Sequence, residues 1–176
     1  MIIFLNLFFD GHTYKNFNLS FLIEGKNGGQ IYSGTNALSK YFGAHKATID
    51  ADGRENGFSV SGVDADGAAF TTVIAPERIE DYWRRTFSIA EEAIYDSDYL
   101  RLRQLSLGYQ FPYDLLEGTF IRNASVSLIG RNLFFLSNSV ENVDPESGYN
   151  VGNSQGLEWF GLPIPRSIGL NVNLKF

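Results

Sequence analysis

Arg166-Ser167-Ile168-Gly169-Leu170-Asn171-Val172-Asn173-Leu174-Lys175-Phe176 closes the chain, and its reading decides the fold. Successive side chains of a strand point to opposite faces. Ile168, Leu170, Val172, Leu174 and Phe176 therefore share one face, and Ser167, Gly169, Asn171, Asn173 and Lys175 share the other. One face is wholly apolar and the other wholly polar. A membrane-spanning strand needs that pattern over about 9–11 residues, apolar toward lipid and polar toward a lumen. A strand of a soluble sandwich shows the same alternation with water on its polar side. The stretch alone leaves both readings open.

Working outward, three more stretches repeat the pattern. Phe17, Leu19, Phe21 and Ile23 alternate with Asn18, Ser20 and the exception Leu22, after a tight Lys15-Asn16 turn. In Tyr99 to Phe111, Leu105, Leu107, Tyr109 and Phe111 oppose Gln104, Ser106, Gly108 and Gln110. Strict alternation puts Arg101 and Arg103 on the apolar face at the start of that strand. Arg at a bilayer midplane costs about 2–4 kcal/mol, falling toward zero at the interface, so this end is expected at the headgroups. Pro112 ends the strand because it cannot donate to a ladder. Ala124 to Leu136 is the fourth strand, with Ala124, Val126, Leu128 and Gly130 on one face. The expected fold is all-β, with strands near Phe17–Ile23, Tyr99–Phe111, Ala124–Leu136 and Ser167–Phe176 paired antiparallel in sequence order.

The connections alternate in length. Lys15-Asn16 is tight, Lys26 to about Asp98 is very long, Pro112 to Asn123 is short, and Ser137 to Pro165 is long. Outer-membrane barrels have short periplasmic turns and longer extracellular loops, whereas loops this long are unusual in a compact domain unless they carry function. Placing Phe176 at the periplasmic side makes every short turn periplasmic and every long loop extracellular. It also sets the Arg101 end outside. Ile168, Leu170, Val172 and Leu174 are then expected to face lipid on the convex side, with Asn171, Asn173 and Lys175 on the concave side.

The rest of the chain carries weaker signals. Met1 to about Phe9 is apolar with little alternation, and Asp10-Gly11 is expected to turn the chain. It has no basic flank or small-x-small cleavage site, so it does not read as a signal peptide. Short helices are expected over Ala37–Phe42 and over Ile79–Phe87, where Tyr82, Trp83 and Phe87 fall at helical spacing, with the pattern continuing through Ile89 to Ile94. Asp50-Ala51-Asp52-Gly53 and Asp64-Ala65-Asp66-Gly67 read as acidic turns. Neither supplies the full ligand set of a calcium loop.

Composition excludes several function classes. The formal charge of −6 and pI of about 4.9 leave no basic patch for a nucleic acid. The absence of Cys removes disulfides, thiolate metal sites and a Cys nucleophile. His12 and His45 lie in no catalytic or metal pattern, and Asp96 with Asp98 reads as a loop cap beside a strand. No enzyme activity and no cofactor is expected. Asn18-Leu19-Ser20 and Asn123-Ala124-Ser125 match the glycosylation acceptor pattern, a common chance match. The alternative function is a soluble β-rich carbohydrate-binding module that stacks sugars on Trp83, Tyr149, Trp159 and Phe160.

Four motifs then carry a resemblance. Tyr99-Leu100-Arg101-Leu102-Arg103-Gln104-Leu105-Ser106-Leu107-Gly108-Tyr109-Gln110-Phe111-Pro112 resembles the YLRLKxxxLGYxFP segment of SusC/RagA-type TonB-linked outer-membrane proteins. Gly130-Arg131-Asn132-Leu133-Phe134 resembles their (G/A)xNLF segment, and Val143-Asp144-Pro145-Glu146 their (V/I)DPE loop. Pro165-Arg166-Ser167 and the closing strand to Phe176 resemble their C-terminus. The order is right, and the resemblance spans about Tyr14 to Phe176. It implies the last strands of a barrel of about 22 strands that imports glycans or peptides. The implied partners are a SusD-like surface lipoprotein and the TonB complex. Residues 1–176 are thus expected to form one C-terminal barrel piece without signal sequence, TonB box or plug, in a Bacteroidetes-like outer membrane, and inactive when isolated. The resemblance also implies that the terminal Phe176 is read as an assembly signal. Tyr149, Trp159 and Phe160 are candidate contacts of the extracellular loops.

Overall fold

The computed structural model describes residues 2–49, 53–148, 152 and 154–176. Tyr149 and most of the Asp50-Ala51-Asp52-Gly53 turn lie outside the described residues. In chain order the elements are β1 (Ile3–Tyr14), β2 (Phe17–Asn27), β3 (Gln30–Ser33), α1 (Gly34–Tyr41), α2 (Gly53–Asn56), β4 (Phe58–Val63), β5 (Ala69–Ile74), α3 (Ile79–Thr86), β6 (Ile94–Asp96), β7 (Tyr99–Gln110), β8 (Asn123–Asn138), β9 (Leu157–Glu158) and β10 (Ser167–Lys175). They fall into two compact units. One holds Met1–Gly29, Asp96–Ser147 and Leu162–Phe176, and the other holds Gln30–Tyr95 and Gly148–Gly161. Among the described residues no helix is long and apolar enough to cross a membrane.

The first unit is a five-stranded sheet in the order β1-β2-β7-β8-β10, antiparallel at each step, with β1 and β10 as open edges. The sheet does not close. All four expected strands are present in the expected order. Register aligns their apolar positions into rows, such as Phe9–Phe21–Leu105–Gly130–Ile168 and Tyr14–Phe17–Tyr109–Val126–Val172. The opposite face carries rows such as Asn18–Gly108–Ser127–Asn171.

Two expectations fail here for the same reason, a β-bulge. Asp10-Gly11 does not turn the chain: β1 runs through it, and the pairing with β2 slips between Phe9 and His12, with Gly11 at φ +70°. A bulge inserts an extra residue without ending a strand. From Ile3 the apolar run through Phe9 is therefore the start of an edge strand that alternation alone did not reveal. Arg101 and Arg103 are not on the apolar face either. β2 pairs Leu22 with Gln104 and then Ile23 with Leu102, so Arg103 is an extra residue of β7. The bulge flips the parity, aligning Leu100 and Leu102 with Leu105 and turning both arginines to the polar side.

The second unit packs helices on small sheets. β6, β3 and β9 form one sheet, with β3 and β9 parallel, and β4 and β5 form a hairpin. Asp64-Ala65-Asp66-Gly67 makes the turn of that hairpin: the Asp64 carboxylate accepts from the Asp66 and Ala68 amides at 3.0 and 2.8 Å. Helix α1 starts earlier than expected, at Gly34, because Ser33 caps it by accepting from the Asn36 amide. Helix α3 matches the expected span, but a 3-10 turn over Ala90–Ala93 replaces its continuation. Phe58 stacks on Trp83 at 5.7 Å and meets Tyr82 edge-on at 5.0 Å, fastening the hairpin base to α3.

Candidate functional site

Burial in the sheet unit is inverted relative to a water-soluble domain. Its apolar face is open: Ile168 is 77% exposed, Leu170 69%, Val172 55% and Leu174 45%. The paired register sets these four residues against Gly130, Leu128, Val126 and Ala124 on one face, as expected. Leu5, Leu7, Leu19, Leu107 and Leu128 on the same face are exposed too. Contiguous apolar surface on this scale marks an interaction with lipid or protein. Aromatic rings gather at the short-turn rim. Phe17 lies 4.9 Å from Tyr109, Tyr109 meets Phe111 edge-on at 5.3 Å, and Phe120 stacks on Phe176 at 5.6 Å. Phe176 thus follows β10 and packs on the β7–β8 connection, where the Arg122 amide also donates to the Lys175 carbonyl at 2.7 Å.

At the other end of β7 the polar face holds a charged lock. Arg103 donates through Nε and Nη2 to Glu24 at 2.9 and 2.7 Å, through Nη2 to Glu146 at 2.6 Å, and through Nη1 to Asn132 at 3.1 Å. Arg101, only 4% exposed, pairs with Asp144 and Glu146, and its guanidinium lies 3.8 Å from the centroid of Phe135. The Tyr99 hydroxyl sits 3.1 Å from Glu24 and 3.2 Å from Glu146. Asp144 also accepts from the Glu146 amide at 3.0 Å and the Ile164 amide at 3.2 Å. Buried charges survive only when paired and hydrogen-bonded, and each of these is. The lock pins the Val143–Ser147 turn to β2, β7 and β8.

The bulge supplies the geometry of that lock. Asn132 has φ +51°, a conformation that Asn tolerates far better than bulky residues. It accepts from Arg103 and donates to the Pro165 carbonyl at 3.2 Å. A Cβ on Gly130 would approach a Leu133 methyl to 2.7 Å, so glycine there lets the leucine fold over the strand. Arg101 and Arg103 of β7 bind the Val-Asp-Pro-Glu turn directly, and Asn132 of the Gly-Arg-Asn-Leu-Phe segment braces Arg103. The sequence shows the Tyr99–Pro112 and Val143–Glu146 segments but not their contact, because the Arg101 ion pairs span 43 and 45 residues.

In the loop unit, Glu158 is fully buried. Its carboxylate accepts from the Ser33 hydroxyl at 2.7 Å, the Thr35 hydroxyl at 2.6 Å and the Gly161 amide at 3.1 Å. A Cβ on Gly34 would lie 1.8 Å from a Trp159 ring carbon, so only glycine lets this indole lie against the start of α1. Trp159 is therefore a packing residue on one side and half exposed on the other. Phe160 is exposed, holds φ +54°, and meets Trp159 edge-on at 6.0 Å. Asp98 caps its loop as expected, accepting from the Gly28 amide at 2.6 Å. Tyr82 ionises less readily than a free tyrosine because it is partly buried and faces Glu92. Among the described residues no group of His, Asp and Glu is arranged to hold a metal ion.

No family model matches this chain. It is 28% identical over 169 residues to TonB-dependent receptor P3 of Formosa agariphila, and 27% identical over 172 residues to TonB-dependent receptor P26 of the same organism. Each alignment covers 93% of this chain, which spans only 15% and 16% of those relatives' lengths. Among solved structures it is similar to the RagAB peptide transporter, with a TM-score of 0.56 and 19% identity, and to the RagAB peptide importer in the closed-closed state, with 0.59 and 16%. Both cover 93% of this chain and 16% of the other. The resemblance to SusC/RagA-type TonB-linked transporters is thus shared by sequence relatives and fold neighbours. The open sheet matches part of such a receptor's barrel. The named relatives are receptors and transporters rather than enzymes.

Proposed function

We propose that this chain contributes the closing strands of a TonB-driven outer-membrane importer of oligomeric nutrients, glycans or peptides, acting with a SusD-like surface lipoprotein. The observation that carries the reading is the unbroken apolar face of the five-stranded sheet, exposed from β1 to β10. In water that face is an aggregation surface; in a bilayer it is the lipid contact. Ile168, Leu170, Val172 and Leu174 face lipid, and Asn171, Asn173 and Lys175 face the lumen. Burying Lys175 in lipid would be costly, which fixes the register. The aromatic rim at the short turns lies at the periplasmic interface, and the long connections lie outside. There the lock holds the Val143–Ser147 turn, and Tyr149, Trp159 and Phe160 are candidate contacts of solute or lipoprotein. Phe176 serves as the assembly signal. The isolated chain transports nothing, because its open edges leave backbone groups unpaired in lipid.

Nitroxide labels at Leu170 and Asn171, in a reconstituted receptor that carries this stretch, test the reading. Oxygen, which partitions into lipid, should relax the Leu170 label, and a water-soluble nickel chelate the Asn171 label. Equal accessibility of both labels to both reagents would overturn the lipid-facing assignment.

A further inference from the structure

The loop unit contains a cavity of about 500 Å³, within the size range of small-ligand sites. Phe42, Arg54, Ile79, Glu80, Trp83 and Arg84 are among its walls. Two features make it more than a gap between helices. First, both guanidinium groups have protein partners that orient them at the cavity wall. Arg54 donates through Nε to the Thr48 carbonyl at 3.2 Å and through Nη2 to the Thr48 hydroxyl at 3.0 Å and the Gly43 carbonyl. Arg84 is tied to Glu80 at 2.6 Å, and its guanidinium lies 5.6 Å from the Tyr41 ring centroid. An arginine carries five N–H donors in a rigid fork. These bonds leave Nη1 of Arg54, and Nε and Nη1 of Arg84, without a protein acceptor among the described residues. Second, the Phe42 ring is 74% exposed at the cavity edge, at the end of α1, where a ring of this size is usually packed.

We propose that this cavity is a recognition subsite for a carboxylate-bearing unit of an oligomeric solute, with the carboxylate on the free arginine donors and an apolar or ring face on Phe42. Two cations and one carboxylate leave the cavity with a net positive charge in a chain of formal charge −6. One excess positive charge matches a monoanion better than a phosphate dianion. Arginine forks bind carboxylates in two-point geometry, and an exposed aromatic ring stacks on a flat unit beside the charge. A uronate of an acidic oligosaccharide and an acidic residue of a peptide share this chemistry. The inference deepens the importer reading and rests on it only for the solute's fate. Binding is measured without transport, so a failure here leaves that reading standing.

The test is a fluorescence titration of the full chain in detergent, in a Trp159→Phe background so that Trp83 in the cavity wall is the reporter. The probes are trigalacturonate, triglutamate, neutral maltotriose, N-acetyl-trialanine amide and inorganic phosphate. One or both acidic trimers should saturate below about 1 mM, and which one binds names the source. Arg84→Gln should weaken that binding at least tenfold, and Phe42→Ala several-fold. Neither side chain supports a backbone carbonyl, so both variants keep the fold that Arg54→Gln could lose. Binding of neutral trimers or phosphate as tight as the acidic trimers would overturn the proposal. So would no saturation by either acidic trimer, or titrations unchanged in both variants.

Discussion

Replacing Arg101 with Met removes the most buried cation of the lock while keeping a chain of similar length. Its partners then face each other with less compensation. Glu146 keeps Arg103 at 2.6 Å, and Asp144 keeps the amides of Glu146 and Ile164. Breaking a buried pair by removing one partner costs about 3–5 kcal/mol. The surviving donors place this case at the low end, about 3 kcal/mol, which at about 1.4 kcal/mol per decade is roughly a hundredfold in a local opening equilibrium. The amides that report that opening are specific. Glu146 and Ile164 donate to the Asp144 carboxylate, and Ser147 donates to the Asp144 carbonyl at 2.9 Å. Hydrogen exchange of the full chain in detergent micelles should show these three amides exchanging about a hundredfold faster in Arg101→Met, in the regime where exchange follows the open population. The amides pairing β8 with β10 should not change, and the exposed control Arg122→Met should leave all of them alone. Acceleration below threefold at Glu146, Ser147 and Ile164 would refute the lock. So would a uniform acceleration through β8 and β10, which would mean that Arg101 supports the sheet rather than the turn.

Two further outcomes follow from single contacts. Gly34→Ala forces a methyl to within 1.8 Å of the Trp159 ring; overpacking of this kind costs about 1–3 kcal/mol or more, and thermal unfolding of the loop unit followed by tryptophan emission should move down accordingly. An unchanged midpoint would show that the indole moves away freely. Deleting Phe176 from a full-length receptor that carries this stretch should lower the amount assembled in the outer membrane more than transport per assembled molecule, while Phe120→Ala, which removes the stacking partner of Phe176, should leave assembly near normal. Equal losses in the two variants would make Phe176 a packing residue and not a signal.

What could be read in the sequence divides along a physical line. Strict alternation in β10 depends on nothing but period two, so its two faces were legible residue by residue. Its antiparallel place beside β8 followed from the order of the strands, while the register between them came only with the structure. The alternation rule fails wherever a bulge inserts a residue, because the count then shifts by one and every later side chain changes face. Arg103 in β7 and Gly11 in β1 are such places. An arginine pair counted onto the apolar face was itself the available signal. A cost of about 2–4 kcal/mol per residue at the midplane can be avoided by depth or by parity. The chain uses parity, since the same bulge that turns Arg101 and Arg103 to the polar face brings them within reach of Glu24, Asp144 and Glu146. The loop unit was less legible for a different reason. Its decisive contacts, Glu158 to Ser33 and Thr35 and Trp159 against Gly34, join segments more than 120 residues apart. No local period encodes such a pairing. A lone Glu beside Trp-Phe in a polar loop looks like a solvated surface until the hydroxyls that bury it are placed around it. The arginines of the cavity fall in the same class: Arg54 and Arg84 become a candidate site only once α2 and α3 bring them to one wall.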